Sequence, residues 1–340
     1  MPGTAPPIPA AIDVVTQVVY YLSLSVPLGI GLTVRTLAEP DGPVSRRVRS
    51  LAVPAALFVT LGLVLQVRAA AHVTGLTLVQ LLALALAACG LVSMRRTKSR
   101  ALAGGVTALA LLAAVVPEIP LQYSNLSRVA TDVLTAVHVL GAMVWVGGLV
   151  VLAATAIAMR RNMTCDQDEE RIAADWARVW ERFSLVAMIA VGALIVSGSW
   201  LAWSHVGTPG QLLTTAYGRA LAIKLALVVA LLCAGTYNVR VLLPRIRALQ
   251  RDGDHRSVFQ IAAQHFPTVI LGEALVAVGV LIIVPFLRGS ARAQAGGPNA
   301  APFDLSTFGI GVVLIAIVAV AMWAGSRRSL RPLQPSALTP

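Results

Sequence analysis

Charged residues are scarce in this sequence. Asp, Glu, Lys and Arg together make up 12% of its 340 residues, and aromatic residues make up 5%. A soluble domain is nearer a quarter charged, because charged side chains cover its surface. Most of this surface must therefore face something other than water. Hydrophobic residues reach 57%, and the abundance of Leu, Val, Ala and Ile among them is typical of helices that lie in lipid.

Cysteines and recognisable catalytic motifs are also few. The three cysteines, Cys89, Cys165 and Cys233, form no CxxC pair, so no disulfide framework is predicted. We find no nucleophile–base pair, phosphate-binding loop or carboxylate dyad, and we do not expect an enzyme. The net charge is +12, but the Arg residues cluster between apolar runs, as topology determinants do. We therefore predict no nucleic-acid partner.

The apolar runs predict the fold class. About 20 apolar residues in a helix cross the roughly 30 Å hydrocarbon core of a bilayer. We count nine such runs and predict an all-α, polytopic transmembrane helical bundle that has the lipid bilayer as its solvent. The runs are 13–35, 50–68, 73–94, 101–117, 130–159, 183–204, 217–243, 266–288 and 304–325. Residues 1–12, with their prolines, are predicted to be a disordered tail.

Basic residues alternate between the loops. Lys and Arg cluster in the loops after the odd-numbered spans and are nearly missing from the others. The positive-inside rule then places the N-terminus outside and the C-terminus in the cytoplasm. We expect loop 160–182 to form a short amphipathic surface helix and the outer loop 289–303, rich in Gly, Ala and Pro, to be flexible.

His138 is the most informative polar residue within a span. It lies about 10 Å below the outer surface of the fifth span, at 1.5 Å per residue. Thr131 and Trp145 are seven residues away on either side and share its helix face. Such an imidazole can be a metal ligand, a haem ligand or a proton carrier. The alternative is a histidine that is simply hydrogen-bonded between helices.

Two further histidines are predicted in the outer half. His72 begins the third span and His205 ends the sixth. Together with His138 they would provide three imidazoles for a trigonal site that suits copper or zinc. The alternative interpretation of His72 and His205 is that they are polar caps at the membrane interface.

Lys224 lies at a similar outer depth in the seventh span, with Tyr217 and Asn238 roughly on its face. Its ammonium group can extend outward to water or form a structural ion pair. A cation repels a metal ion, so if His138 binds copper, Lys224 should point elsewhere or pair with an acid such as Asp132.

Glu273 lies about 10 Å in from the cytoplasmic side of the eighth span, too far from Lys224 for a direct pair. A carboxyl group at this depth is costly. Glu273 is therefore expected to be protonated, to be paired with a donor that the sequence does not reveal, or to belong to an ion path.

Several short motifs follow one another in the second half of the chain. They are HVLGAMVWVGGL from His138, Arg182-Phe183-Ser184, Gly198, TAYGR from Thr215 with Lys224 after it, Asn238 and Glu273. In this order and at these spacings, they resemble the copper-resistance protein D (CopD/PcoD) family of multi-pass membrane proteins over about residues 130–290. The chain then divides into the tail 1–12, a four-helix membrane region 13–129, the CopD-like region 130–290, and a ninth span with a cytoplasmic tail 291–340.

The resemblance implies copper transport or copper handling across a bacterial cytoplasmic membrane. It implies a copper ion, Cu⁺ or Cu²⁺, as the bound species, and a small periplasmic or other extracytoplasmic copper carrier protein as a partner. It favours a site around His138, with His72 and His205 as co-ligands. Two alternatives stay open. One is a haem-binding membrane cytochrome, with His138 and either His72 or His205 as axial ligands. The other is an accessory factor for metal insertion into an oxidase, without transport of its own.

Overall fold

The computed structural model describes residues 6–69, 74–118, 126–160, 169–242, 244–245, 248, 266–297 and 305–330. Within these residues the chain is helical and has no strand. The helices are α1 (Ala11–Leu32), α2 (Pro43–Ser50), α3 (Ala52–Ala69), α4 (Gly75–Arg96), α5 (Arg100–Val115), α6 (Leu126–Arg160), α7 (Glu169–His205), α8 (Gln211–Thr214), α9 (Ala216–Tyr237), α10 (Phe266–Ile283), α11 (Ala291–Gln294) and α12 (Leu305–Leu330). Short π-helical segments, Thr33–Leu37 and Asn238–Leu242, extend α1 and α9.

The structure confirms the predicted class, an all-α polytopic bundle. Eight helical segments are long and apolar enough to cross a membrane, and they coincide with the first eight predicted spans. The short fourth span is among them, as Arg100–Glu118. The ninth predicted span falls on α12, which has 26 residues. Its apolar stretch within the described side chains is Gly309–Val320.

Contacts between the loops show which helix ends lie together. Lys98 forms an ion pair with Asp41 at 2.8 Å, and Arg178 pairs with Glu39 at 3.1 Å. The segments after the first, third and fifth spans therefore meet at one end, which we call the arginine-rich end. At the opposite end, the Arg292 guanidinium donates to the Trp203 carbonyl at 3.0 Å. The alternation of loops expected from the basic residues is thus found, while the orientation of the bundle in the membrane stays a prediction.

Arginines at the arginine-rich end also satisfy helix termini. The last carbonyls of a helix have no partner within the helix. Arg182 donates to the carbonyl oxygens of Thr36 at 3.2 Å and Leu37 at 3.0 Å, where the extension of α1 ends. Arg49 donates to the Lys98 carbonyl at 3.1 Å, just after α4. A cation at a helix C-terminus also interacts favourably with the helix dipole, so these arginines stabilise the fold besides setting its topology.

Two loop predictions were wrong in part. Residues 169–182, expected to form a separate surface helix, are the first turns of α7, which continues for 37 residues to His205. A hydrogen bond holds these turns against α2: the buried carboxylate of Asp175 accepts from the Val44 amide at 3.0 Å. In the outer loop expected to be flexible, residues 291–294 form α11, and Ala291 packs with Tyr217. Residues 161–168 and 298–304 lie outside the described residues.

Helix α1 is at the centre of the bundle, where it packs against α3, α5, α6 and α10. Its contact with α6 is a contact between backbones. A Cβ atom added to Gly147 would lie 2.1 Å from the Ser25 carbonyl oxygen, and one added to Gly29 would lie 2.3 Å from that of Gly147. Glycines allow membrane helices to approach this closely. One hydrophobic core, containing residues from Leu24 to Leu281, joins the regions 13–129 and 130–290.

Candidate functional site

His138 lies where α6 faces α7, and its imidazole has two hydrogen-bond partners on α7, the Ser197 hydroxyl and the Leu194 backbone. Its Nδ1 atom is 3.1 Å from the Ser197 hydroxyl oxygen. That hydroxyl has a single proton, which it donates to the Ala193 carbonyl at 2.6 Å. Ser197 must then accept from His138, so the proton of the neutral imidazole is on Nδ1. The Nε2 atom keeps its lone pair, which is the form that binds a metal ion.

Gly198 leaves room for this imidazole. A Cβ atom on Gly198 would be 3.2 Å from His138 Cε1, so only glycine leaves the ring its full space there. Two residues after Gly198, the Trp200 indole donates to the Thr131 hydroxyl at 3.3 Å. Thr131 was expected on the face of His138, and it does lie in the α6–α7 interface. Trp145, also expected there, packs against the hydrophobic core.

His205 is held at the end of α7 by contacts at Nδ1. This atom is 2.8 Å from the Leu201 carbonyl oxygen and 2.9 Å from the Ser204 hydroxyl oxygen. The ring stacks on Tyr217 at a centroid distance of 5.8 Å with the planes 8° apart. His205 therefore links the ends of α7 and α9, and it is the second imidazole that the structure describes within the bundle.

The two imidazoles are at different depths. His138 is level with Ser197, and His205 follows Ser197 by eight residues of α7, which is about 12 Å along the helix. Within the part of the chain that the structure describes, no group of three His, Cys, Asp or Glu side chains is arranged to hold a metal ion. His72 lies outside the described residues, as do His255 and His265. A trigonal centre that includes His72 stays a prediction.

Lys224 is half-buried and close enough to His138 for its charge to act on the imidazole. The sequence suggested that Asp132 would neutralise it if His138 binds copper. Among the described residues Lys224 has no ion pair, and Asp132 interacts electrostatically with Glu118. A cation bound at His138 would therefore meet a second positive charge nearby.

The partner of Glu273 is Asn238, which the sequence alone did not reveal. Asn238 is the first residue of the π-helical segment after α9, and its side-chain nitrogen is 2.6 Å from Glu273 Oε1 on α10. Both residues are buried, with 1% and 7% of their surfaces exposed, and the Asn238 Oδ1 atom has no hydrogen-bond partner among the described residues. Lys224 precedes Asn238 by 14 residues, about 21 Å along α9, which agrees with the absence of a Lys224–Glu273 pair.

Taken together, these helices define a multi-pass membrane protein with polar residues at two depths inside its bundle. Residues 177–287 match the family model of Copper resistance protein D. The resemblance expected from the sequence is thereby confirmed for this region, which contains Ser197, His205, Lys224, Asn238 and Glu273. Helix α6 with His138 precedes it. Searches of the curated proteins and of the solved structures found no match.

Proposed function

We propose that the protein transports or handles copper across the bacterial cytoplasmic membrane, and that His138 is its central ligand. The observation that carries the proposal is the Ser197 hydroxyl, which leaves Nε2 of His138 as the nitrogen able to bind metal. A metal-bound histidine usually donates its other N–H to a fixed acceptor, and this orients the ring and tunes its basicity. The family match of the adjoining region supports copper as the ion.

In this proposal the end of the bundle opposite the arginine-rich end faces outward, in accord with the positive-inside rule. Copper arrives from an extracytoplasmic carrier protein and meets His205 before His138, because His205 is nearer that end. The two act as successive positions about 12 Å apart, and His72 is the candidate for a co-ligand of either one. The charge of Lys224 favours Cu⁺ over Cu²⁺, since a divalent ion doubles the repulsion.

One alternative loses support from the geometry. A bis-histidine haem needs two axial ligands on opposite sides of one iron, and the difference in depth between His138 and His205 disfavours that pair. An accessory role in metal insertion uses the same copper site without net transport. It differs from the proposal in one measurable respect, the movement of copper into sealed proteoliposomes.

The first experiment is metal analysis by mass spectrometry of purified protein loaded in parallel with copper and zinc. Wild type should retain copper, His138→Ala should lose it, and His205→Ala should lose less than His138→Ala. A visible absorption spectrum of the same samples tests for haem. Equal copper in wild type and His138→Ala would refute the assignment of His138. Copper binding without uptake by proteoliposomes would favour the accessory role.

A further inference from the structure

The pair formed by Asn238 and Glu273 has too few partners for a buried charge. Moving an isolated carboxylate into an apolar environment is very costly unless a cation or several donors compensate it. Among the described residues, Glu273 accepts one hydrogen bond, from an amide, and has no ion pair. This arrangement stabilises a neutral carboxyl group better than an ionised one.

Among the side chains that the structure describes on the helices around α10, no charged or titratable group takes the place of a counter-ion. Helix α10 packs against α1, α6 and α9. Arg240, two residues after Asn238, is exposed. Arg35, at the same end of the bundle, donates to the Arg100 carbonyl at 3.2 Å. The remaining described groups on these helices are exposed or belong to the opposite half of the bundle, namely Asp13, Tyr20, Tyr21, Arg128, Asp132, His138, Tyr217, Arg219, Lys224, Cys233 and Tyr237.

Asn238 suits a carboxyl group that gains and loses a proton. A side-chain amide has both a donor and an acceptor. It can donate through Nδ2 to an ionised Glu273, and after a half-turn it can accept through Oδ1 from a protonated one. The 2.6 Å separation is common for an O–H···O bond and short for N–H···O. In either orientation one polar atom of the amide has no partner within the described part of the chain, so neither orientation satisfies the amide fully.

The local backbone gives a second, independent indication. Asn238 begins one of two π-helical segments among the described residues, and such segments are often found at functional sites. Glu273 lies seven residues after Phe266, about 10 Å from the arginine-rich end. This is a short distance for a proton to travel to water.

We propose that Glu273 is a proton-binding site, with Asn238 as the hydrogen-bond partner of both its protonation states. The reaction is the dissociation of one proton from the carboxyl oxygen to water at the arginine-rich end, and its reversal, without any redox step. The inference does not depend on copper, and it stands even if His138 binds no metal. It would give the protein a means of coupling ion movement to the proton gradient.

Infrared spectroscopy on protein in lipid vesicles tests the proposal, because a protonated carboxyl group has its own C=O stretching band. The spectra of wild type and variants are compared. Wild type should show this band at neutral pH, and Glu273→Gln should lose it. Asn238→Ala should keep the band at a shifted frequency, because the hydrogen bond is gone. Asp41→Asn is the control: Asp41 is exposed, and the hydrogen bond and charge of Lys98 hold its pKa below the ordinary value, so the band should not change.

Two spectral outcomes would overturn the proposal. The first is a wild-type spectrum without the band, and the second is a band that survives in Glu273→Gln. Thermal unfolding gives a further check, since a neutral Glu273 tolerates glutamine. A Glu273→Gln protein that fails to fold would show that the ionised carboxylate is needed.

Discussion

Replacing Ser197 by alanine separates metal binding from folding. The Ser197 hydroxyl is fully buried and donates to the carbonyl four residues before it in α7. Helices tolerate the loss of such a local bond, because the backbone bonds remain. The substitution therefore removes one interaction of consequence, the first of the two hydrogen-bond partners of the His138 imidazole.

The expected loss of affinity follows from that single atom. Without metal, the imidazole of the variant can move its proton to Nε2 or turn towards another partner. With metal on Nε2, the proton must stay on Nδ1, and the backbone carbonyl of Leu194, which already interacts with the imidazole, is the acceptor that remains. Losing one of two hydrogen-bond partners costs about 0.5–1.5 kcal/mol, which corresponds to about 2- to 13-fold in affinity. The change in unfolding free energy should be smaller, because the metal-free protein has these alternatives.

The assay is a copper titration in competition with a chromophoric Cu⁺ chelator, with thermal unfolding measured on the same samples. Ser25→Ala is a matched control, since Ser25 is also buried and its hydroxyl donates to the Tyr21 carbonyl at 2.8 Å, without any histidine contact. The reasoning fails if Ser197→Ala binds copper as tightly as wild type. It fails equally if Ser25→Ala loses as much affinity as Ser197→Ala does.

Three further predictions concern charge, close packing and the arginine-rich end. Lys224→Met should tighten copper binding several-fold, since the charge of Lys224 acts on the His138 imidazole and repels a cation bound there; weaker binding in the same titration would contradict this. Gly147→Ala should lower stability by about 1–3 kcal/mol in thermal unfolding, whereas Gly105→Ala, with open space around its Cβ position, should not. Arg182→Ala should lower the unfolding temperature, because two carbonyl oxygens at the end of the α1 extension lose their donor; an unchanged temperature would show that water replaces the guanidinium.

The spans and their alternation were predictable, because hydrophobic length and loop charge are properties of the sequence itself. The weak fourth span was found through that alternation, since omitting it would have put basic loops on both sides. The continuation of α7 through residues 169–182 was not predicted. Its charged sequence is typical of a surface helix, and contacts with residues distant in sequence, such as that of Asp175 with the Val44 amide and that of Arg178 with Glu39, fix its position.

The site was only partly predictable for a related reason. His138 is conspicuous because ionisable groups are rare within spans. Ser197 gave no such signal, because serine in a membrane helix usually bonds to its own backbone. The Asn238–Glu273 pair could not be found from depth alone. It depends on α9 and α10 being neighbours, and the order of helices around a bundle is not written in their hydropathy.

The backbone contact between Gly29 and Gly147 has a consequence for biogenesis. α1 precedes α6 by about a hundred residues of chain, so it must enter the bilayer well before its closest neighbour has been synthesised. Until then its glycine face is covered only by lipid or by the insertion machinery. A chain interrupted between α5 and α6 should therefore be a substrate for membrane quality control, and coexpressed halves should regain stability only by finding each other through this contact.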